Sequence, residues 1–382
     1  MGILRLLLAV AVVIAHSDSF FGFTFTGGRV AVQVFFMISG FYMAMILTRK
    51  YVGKGSYKLF ISNRFLRLFP IYWATLLLTL GVSYAAYLTF GDTLRLGPWF
   101  HYGGDLSLGA VLLQVAANVL IFGQDVIMFL GVDMDTGGLY FTSNFLHSDP
   151  RYYKFLLIPQ AWTLCLEMAF YLLAPFIVRK STKFVVFLVL ASVGVRLATY
   201  HLLGFSHDPW TYRFFPSELS LFLMGVLAYR LYGLWTASGF IRNNIRFAVV
   251  VVYFTCVVLF QYIPFKQYSV LRLYYMPFYL FTLVALPFIF HMTKSWKFSN
   301  RIGELSYPVY ITHIFVIMCI TDVIRTLGMR SFLGEAAIVL SILFSYILVR
   351  FVSDPIETIR QARVKRKPSV SPGQEALAPA GG

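Results

Sequence analysis

The sequence predicts an all-α polytopic membrane helix bundle of about ten transmembrane helices. Three observations carry this. Of the 382 residues, 59% are hydrophobic and only 13% are charged, whereas a soluble domain has nearer a quarter of its residues charged. Mean hydropathy is +0.73, and apolar runs of the roughly 17 to 25 residues needed to cross a hydrocarbon core recur along the chain. The basic residues behind the net charge of +16 cluster in short loops between these runs, where they orient a membrane protein. That placement argues against a nucleic-acid partner and makes the lipid bilayer the first one.

Spans are expected near 3–21, 30–48, 69–90, 160–178, 183–203, 215–232, 246–263, 272–291, 306–325 and 335–353. The first, with Arg5, an apolar core and small residues at Ala15–Ser19, also has the outline of a secretory signal peptide. Apolar character resumes through Phe20–Phe25, which favours an uncleaved span. The loop 49–67 carries Arg49, Lys50, Lys54, Lys58, Arg64 and Arg67, so it and both termini are expected on the cytoplasmic side. The later basic stretches, RKSTK at 179–183, Arg230–Arg246, Lys294–Arg301 and Arg360–Lys367, fall on that same side only if the apolar run 109–130 does not cross. Residues 91–159 then form one external segment, with 109–130 re-entrant or lying on the surface. The membrane domain is expected to cover 1–355, followed by a disordered cytoplasmic tail at 356–382 that turns Pro, Ser, Ala and Gly rich.

Polar residues inside such spans mark pathways or reactive sites by default. Arg5 and His16 are eleven residues apart; at about 100° per residue this is some 20° past three turns, so they share a helix face about 16 Å apart along the axis. Arg5 is also suited to a topology anchor, and His16 to an interfacial hydrogen bond. Ser39-Gly40 permits close helix packing more readily than it supplies a nucleophile, for no GxSxG elbow is present. In NRFLRLFPIYW, Arg64 and Arg67 are one turn apart, ahead of Tyr72 and Trp73. They read equally as a membrane collar and as guanidinium forks for phosphate. Glu167, in AWTLCLEMAFYLLAP behind Trp162, must be protonated, paired or facing a wet cavity, with Arg5 and Arg196 as natural partners. Tyr307, Tyr310 and His313 follow in IGELSYPVYITH, where a hydrogen-bonded packing cluster is the simpler reading. Cys165, Cys256 and Cys319 have no paired spacing, and no metal motif is present.

Taken in order, the Arg5/His16 pair, FFMISGF, RFLRLFPIYW, WTLCLEMAFYLLAP, PSELSLFLMG and LSYPVYITH resemble the acyltransferase 3 family of bacterial inner-membrane O-acyltransferases, from Arg5 to about Pro355. The resemblance implies transfer of an acyl group, usually acetyl, from cytoplasmic acetyl-CoA or another acyl-CoA to a hydroxyl of an exported polysaccharide. The acyl-CoA is a donor substrate, and no cofactor is held permanently. It implies His16 as catalytic base, with Arg5 and Glu167 beside it. Arg64, Arg67, Ser39, Tyr72, Trp162, Tyr307 and His313 become candidates for binding donor or acceptor. Polysaccharide-synthesis machinery is the implied protein partner. Thr163 stands where the family usually has serine, and Met168-Ala169 follow the glutamate in place of more polar residues. A transporter of a lipid-linked glycan or small anion would use the same intramembrane charges, but no inverted repeat is visible. Lipid, peptidoglycan and small metabolites are further acceptors compatible with the family.

Overall fold

The computed structural model describes residues 1–264 and 275–365, and it is a helical bundle. Its helices are α1 (Gly2–His16), α2 (Gly27–Arg49), α3 (Ser56–Phe90), α4 (Gly97–Tyr102), α5 (Leu108–Leu120), α6 (Gln124–Ile127), α7 (Trp162–Ile177) and α8 (Thr182–His201). There follow α9 (Phe215–Ala237), α10 (Ile245–Val258), α11 (Met276–Thr293), α12 (Lys297–Glu304), α13 (Ser306–Thr326), α14 (Leu333–Leu348) and α15 (Asp354–Lys365). Among the described residues one antiparallel hairpin, β1 (Leu130–Val132) with β2 (Leu139–Phe141), lies in the long segment after α3. Among the described residues, eight helices are long and apolar enough to cross a membrane. The other two expected spans, α1 and α10, are shorter apolar helices.

The brevity of α1 is explained by where it sits. It packs against α2, α12, α13 and α14, and Leu4, Leu8, Ala9, Ala11, Val12, Val13 and Ile14 are all buried. Instead of continuing to 21, it stops at His16, where the Ser17 hydroxyl donates to the Val13 carbonyl and the polar Ser17-Asp18-Ser19 run begins. At the opposite extreme, α8 packs on α9 and exposes Phe187, Leu190 and Val195 as a rim helix.

The close contact between α2 and α9 is made by two glycines. A Cβ at Gly40 would lie 1.8 Å from the Phe222 carbonyl oxygen, and one at Gly225 would lie 1.9 Å from that of Met37. Each backbone occupies the notch that the other glycine leaves, which is the small-residue packing anticipated for Ser39-Gly40.

Two expectations are revised and a third gains detail. The third span is preceded by thirteen further helical residues, so α3 begins at Ser56 and carries Arg64 and Arg67 as helix residues. The run 109–130 divides into α5 and α6 on either side of Ile121, whose φ is +67°; thirteen residues in α5 rise only about 20 Å. Finally, the disordered tail does not begin at 356. A π-helical turn at Val349–Ser353 leads into α15, which folds back along α3. Arg360 Nε donates to the Asn63 carbonyl at 3.0 Å and Arg363 Nη2 to Ser62 Oγ at 2.8 Å, anchors that composition does not reveal. The remainder of that tail, 366–382, and the start of the expected span at 272–274 lie outside the described residues.

Candidate active site

Inside the bundle is a cavity whose lining includes Arg5, Ser39, Arg64, Arg67, Glu167 and Tyr307. Five helices deliver them: α1 brings Arg5, α2 Ser39 and Tyr42, α3 the two arginines, α7 Glu167 and Tyr171, and α13 closes the wall with Tyr307 and Tyr310. Glu167 accepts from Ser39 Oγ at 2.7 Å and from the Tyr171 hydroxyl. Arg64 is 6% exposed, with its guanidinium 5.7 Å from the Phe60 ring centre and 5.9 Å from that of Tyr171. Its Nε has no hydrogen-bond partner among the described residues. Three guanidiniums against one carboxylate give this chamber a positive excess, and a buried donor without an acceptor is costly. Both features suit an anion.

His16 does not line that cavity. It ends α1, exposed on one side, with its ring centroid 4.9 Å from that of His313 on α13. Local geometry sets both tautomers. His16 Nδ1 lies 2.9 Å from the Val12 carbonyl and His313 Nδ1 2.6 Å from the Tyr310 carbonyl. A carbonyl can only accept, so each Nδ1 carries a hydrogen, and in the neutral form of each ring the lone pair is on Nε2. His313 is fully buried and its Nε2 has no partner among the described residues. Tyr310 joins the two regions: it lines the arginine cavity, its hydroxyl bonds Thr163 at 2.8 Å and the Gln160 carbonyl at 2.9 Å, and its own carbonyl holds His313.

The imidazole pairing differs from the arrangement expected for Glu167. The carboxylate bonds Ser39 and Tyr171 in the arginine cavity, and the partner of His16 is His313. The Arg196 suggested for Glu167 instead reaches Glu218 at 2.7 Å. Glu218 is fully buried on α9, also accepts from Gln33 Nε2 at 3.0 and 3.1 Å, and sits in a network that Tyr279 completes through Gln33. The signal for that network in the sequence is slight: Gln33 stands alone in an apolar run, and Glu218 is the charged residue of PSELSLFLMG.

Two other candidates sit away from the cavity. Tyr72 is buried, donating to the Asn118 carbonyl at 2.5 Å and accepting from Gln124 Nε2 at 3.0 Å. Trp162 packs under Arg213, whose guanidinium is 4.4 Å from its ring centre, and against Tyr212. Both anchor the segment after α3 and the loop before α9. Thr163, the departure from the usual serine, lines the cavity and holds Tyr310, a task its hydroxyl performs equally well. Among the described residues no cluster of metal-ligating side chains occurs.

No curated protein and no solved structure matches the chain. A family model described as an acyltransferase domain matches residues 1–350, a stretch holding the arginine cavity and both histidines. The chain is a multi-pass membrane acyltransferase and belongs to the acyltransferase 3 family.

Proposed function

We propose that the protein is an O-acyltransferase of the bacterial inner membrane, with both termini cytoplasmic, that moves an acetyl group from cytoplasmic acetyl-CoA to a hydroxyl of an exported or surface polysaccharide. The observation that carries this reading is the separation of charge from base along one short helix: an arginine-lined cavity at the Arg5 end, and a pair of imidazoles about 16 Å away at the His16 end. Phosphates of the donor occupy the arginine end, and the extended pantetheine arm takes the thioester toward the histidines.

His16 Nε2 accepts the proton of the acceptor hydroxyl as the oxygen attacks the thioester carbonyl. The tetrahedral adduct collapses with cleavage of the C–S bond, the electron pair leaves with sulfur, and the proton passes from His16 to the departing thiolate. Products are the O-acetyl ester and free CoA. His313, in ring contact with His16, orients that base.

The test is CoA release from acetyl-CoA by the purified full-length protein with cell-envelope glycan as acceptor. Wild type is expected to release CoA only when glycan is present, and His16→Ala to lose about 10²–10⁴ of that rate. Glycan-independent release, or an active His16→Ala protein, overturns the mechanism.

A further inference from the structure

A second cavity opens at the end of the bundle that carries Lys50. It shares Arg64, Arg67 and Tyr307 with the inner chamber, so one wall separates the two. Its remaining cations are Lys50, at the end of α2, and Arg360, from α15. Arg360 lies beyond residue 350, where the family match ends. We propose that Arg360 holds donor phosphate: with Lys50, Arg64 and Arg67 it forms a vestibule for the 3′-phosphate and diphosphate end of acyl-CoA. The inference rests on the acyl-CoA reading above and names a binding residue for it outside the family's own segment.

The carboxylates on this cavity are Glu304, Asp354 and Glu357, and each is already engaged. Arg301 binds Glu304 at 3.0 Å and Asp354 at 3.1 Å, with Arg350 3.7 Å from Asp354. Glu357 pairs with Arg360 itself, one turn along α15. Arg64 and Arg67 have no carboxylate partner among the described salt bridges, and the Lys50 ammonium reaches only the Gln361 amide at 3.2 Å. Arg64 Nε, buried on this wall, is unsatisfied.

Arg360 is built to face the opening. Its side chain is 11% exposed. Nε is spent on the Asn63 carbonyl and Nη1 on Glu357, leaving Nη2 without a hydrogen bond among the described residues. The Glu357 carboxylate is 42% exposed, so it can turn into solvent when a dianionic phosphate takes its place on Arg360. Arg360 also feels the charges of Arg64 and Arg67. Like charges gathered this closely repel one another, and an anion of several charges relieves the repulsion. Guanidiniums bind phosphate oxygens in bidentate fashion.

Calorimetric titration of CoA into the full-length protein in detergent tests the assignment. The set is wild type, Arg360→Ala, Arg360→Lys and Arg363→Ala. Arg363 fastens α15 to Ser62 and does not line the cavity, so its variant reports loosened docking alone. The expected result is a Kd for CoA raised about tenfold or more in Arg360→Ala, partly restored in Arg360→Lys, and within about twofold of wild type in Arg363→Ala. Equal affinity of wild type and Arg360→Ala overturns the assignment while leaving the donor reading standing, as does an equal loss in Arg363→Ala. Failure of wild type to bind CoA overturns both.

Discussion

His16 and His313 each donate Nδ1–H to a carbonyl of their own helix, so neither ring needs a carboxylate to choose its tautomer. This is why Glu167 can serve elsewhere. Replacing His313 by Gln should lower kcat about tenfold with little change in donor KM, because orientation of the base is lost while the phosphate end is untouched. The shape of the pH–rate profile is the discriminating readout: an unchanged profile would mean His313 only fills space. Glu167 is the carboxylate that opposes three guanidiniums in the inner chamber. Glu167→Gln removes that opposing charge, and CoA is expected to bind about two- to fivefold more tightly at low salt, an advantage that added salt erodes. Weaker binding would instead mean that the carboxylate holds the arginines in position through Ser39 and Tyr171.

Between elements, the α2–α9 contact and the Arg196–Glu218 pair carry the clearest energetic consequences. Gly225→Val would drive side-chain carbon into the Met37 carbonyl. The helices must part, at a cost of about 1–3 kcal/mol or more, and loss of monodisperse protein or a lower thermal midpoint in detergent should reveal it. Arg196→Leu strands a fully buried carboxylate and is expected to destabilise by about 3–5 kcal/mol, with the double change Arg196→Leu/Glu218→Leu recovering much of the loss. A double variant no more stable than the single one would show that Gln33, rather than Arg196, is the principal partner of Glu218. The glycine contact is readable in advance only as a permissive small residue. Its partner across the interface is set by how two helices cross.

At the scale of the whole molecule, sidedness joins the two ends of the site. On the loop-charge reading, in which 109–130 does not cross, the basic loops fall together on one side and the segment containing the β hairpin on the other. Cysteines at Asp135 and Ser238, in a background lacking the three native cysteines, should separate these sides. An impermeant thiol reagent applied to spheroplasts is expected to label position 135 directly and position 238 only after permeabilisation. Labelling of both from outside would reverse the orientation and move the arginine vestibule away from cytoplasmic CoA.

The membrane class, most of the spans and the ordered motifs were legible in the sequence because hydropathy and loop charge are additive along a chain: each run reports its own cost of entering lipid. Arg5, Ser39, Arg64, Arg67, Glu167 and Tyr307 could be marked in the same way, as polar groups where lipid would exclude them. Which of them meet is not additive. Glu167 turned to Ser39 rather than to His16, His313 came to His16 from almost three hundred residues away, and Glu218 with Arg196 formed a buried pair that no local spacing announces. The short α1 is packed against four helices, so its length follows from protein packing, which the hydropathy rule does not read. Arg360 sits in a stretch whose composition reads as tail, and it becomes part of a cavity wall only because α15 docks on α3. Helix formation depends on local hydrogen bonds and on the solvent each side chain meets; the site depends on long-range packing, where a residue's partner is chosen by the whole bundle at once.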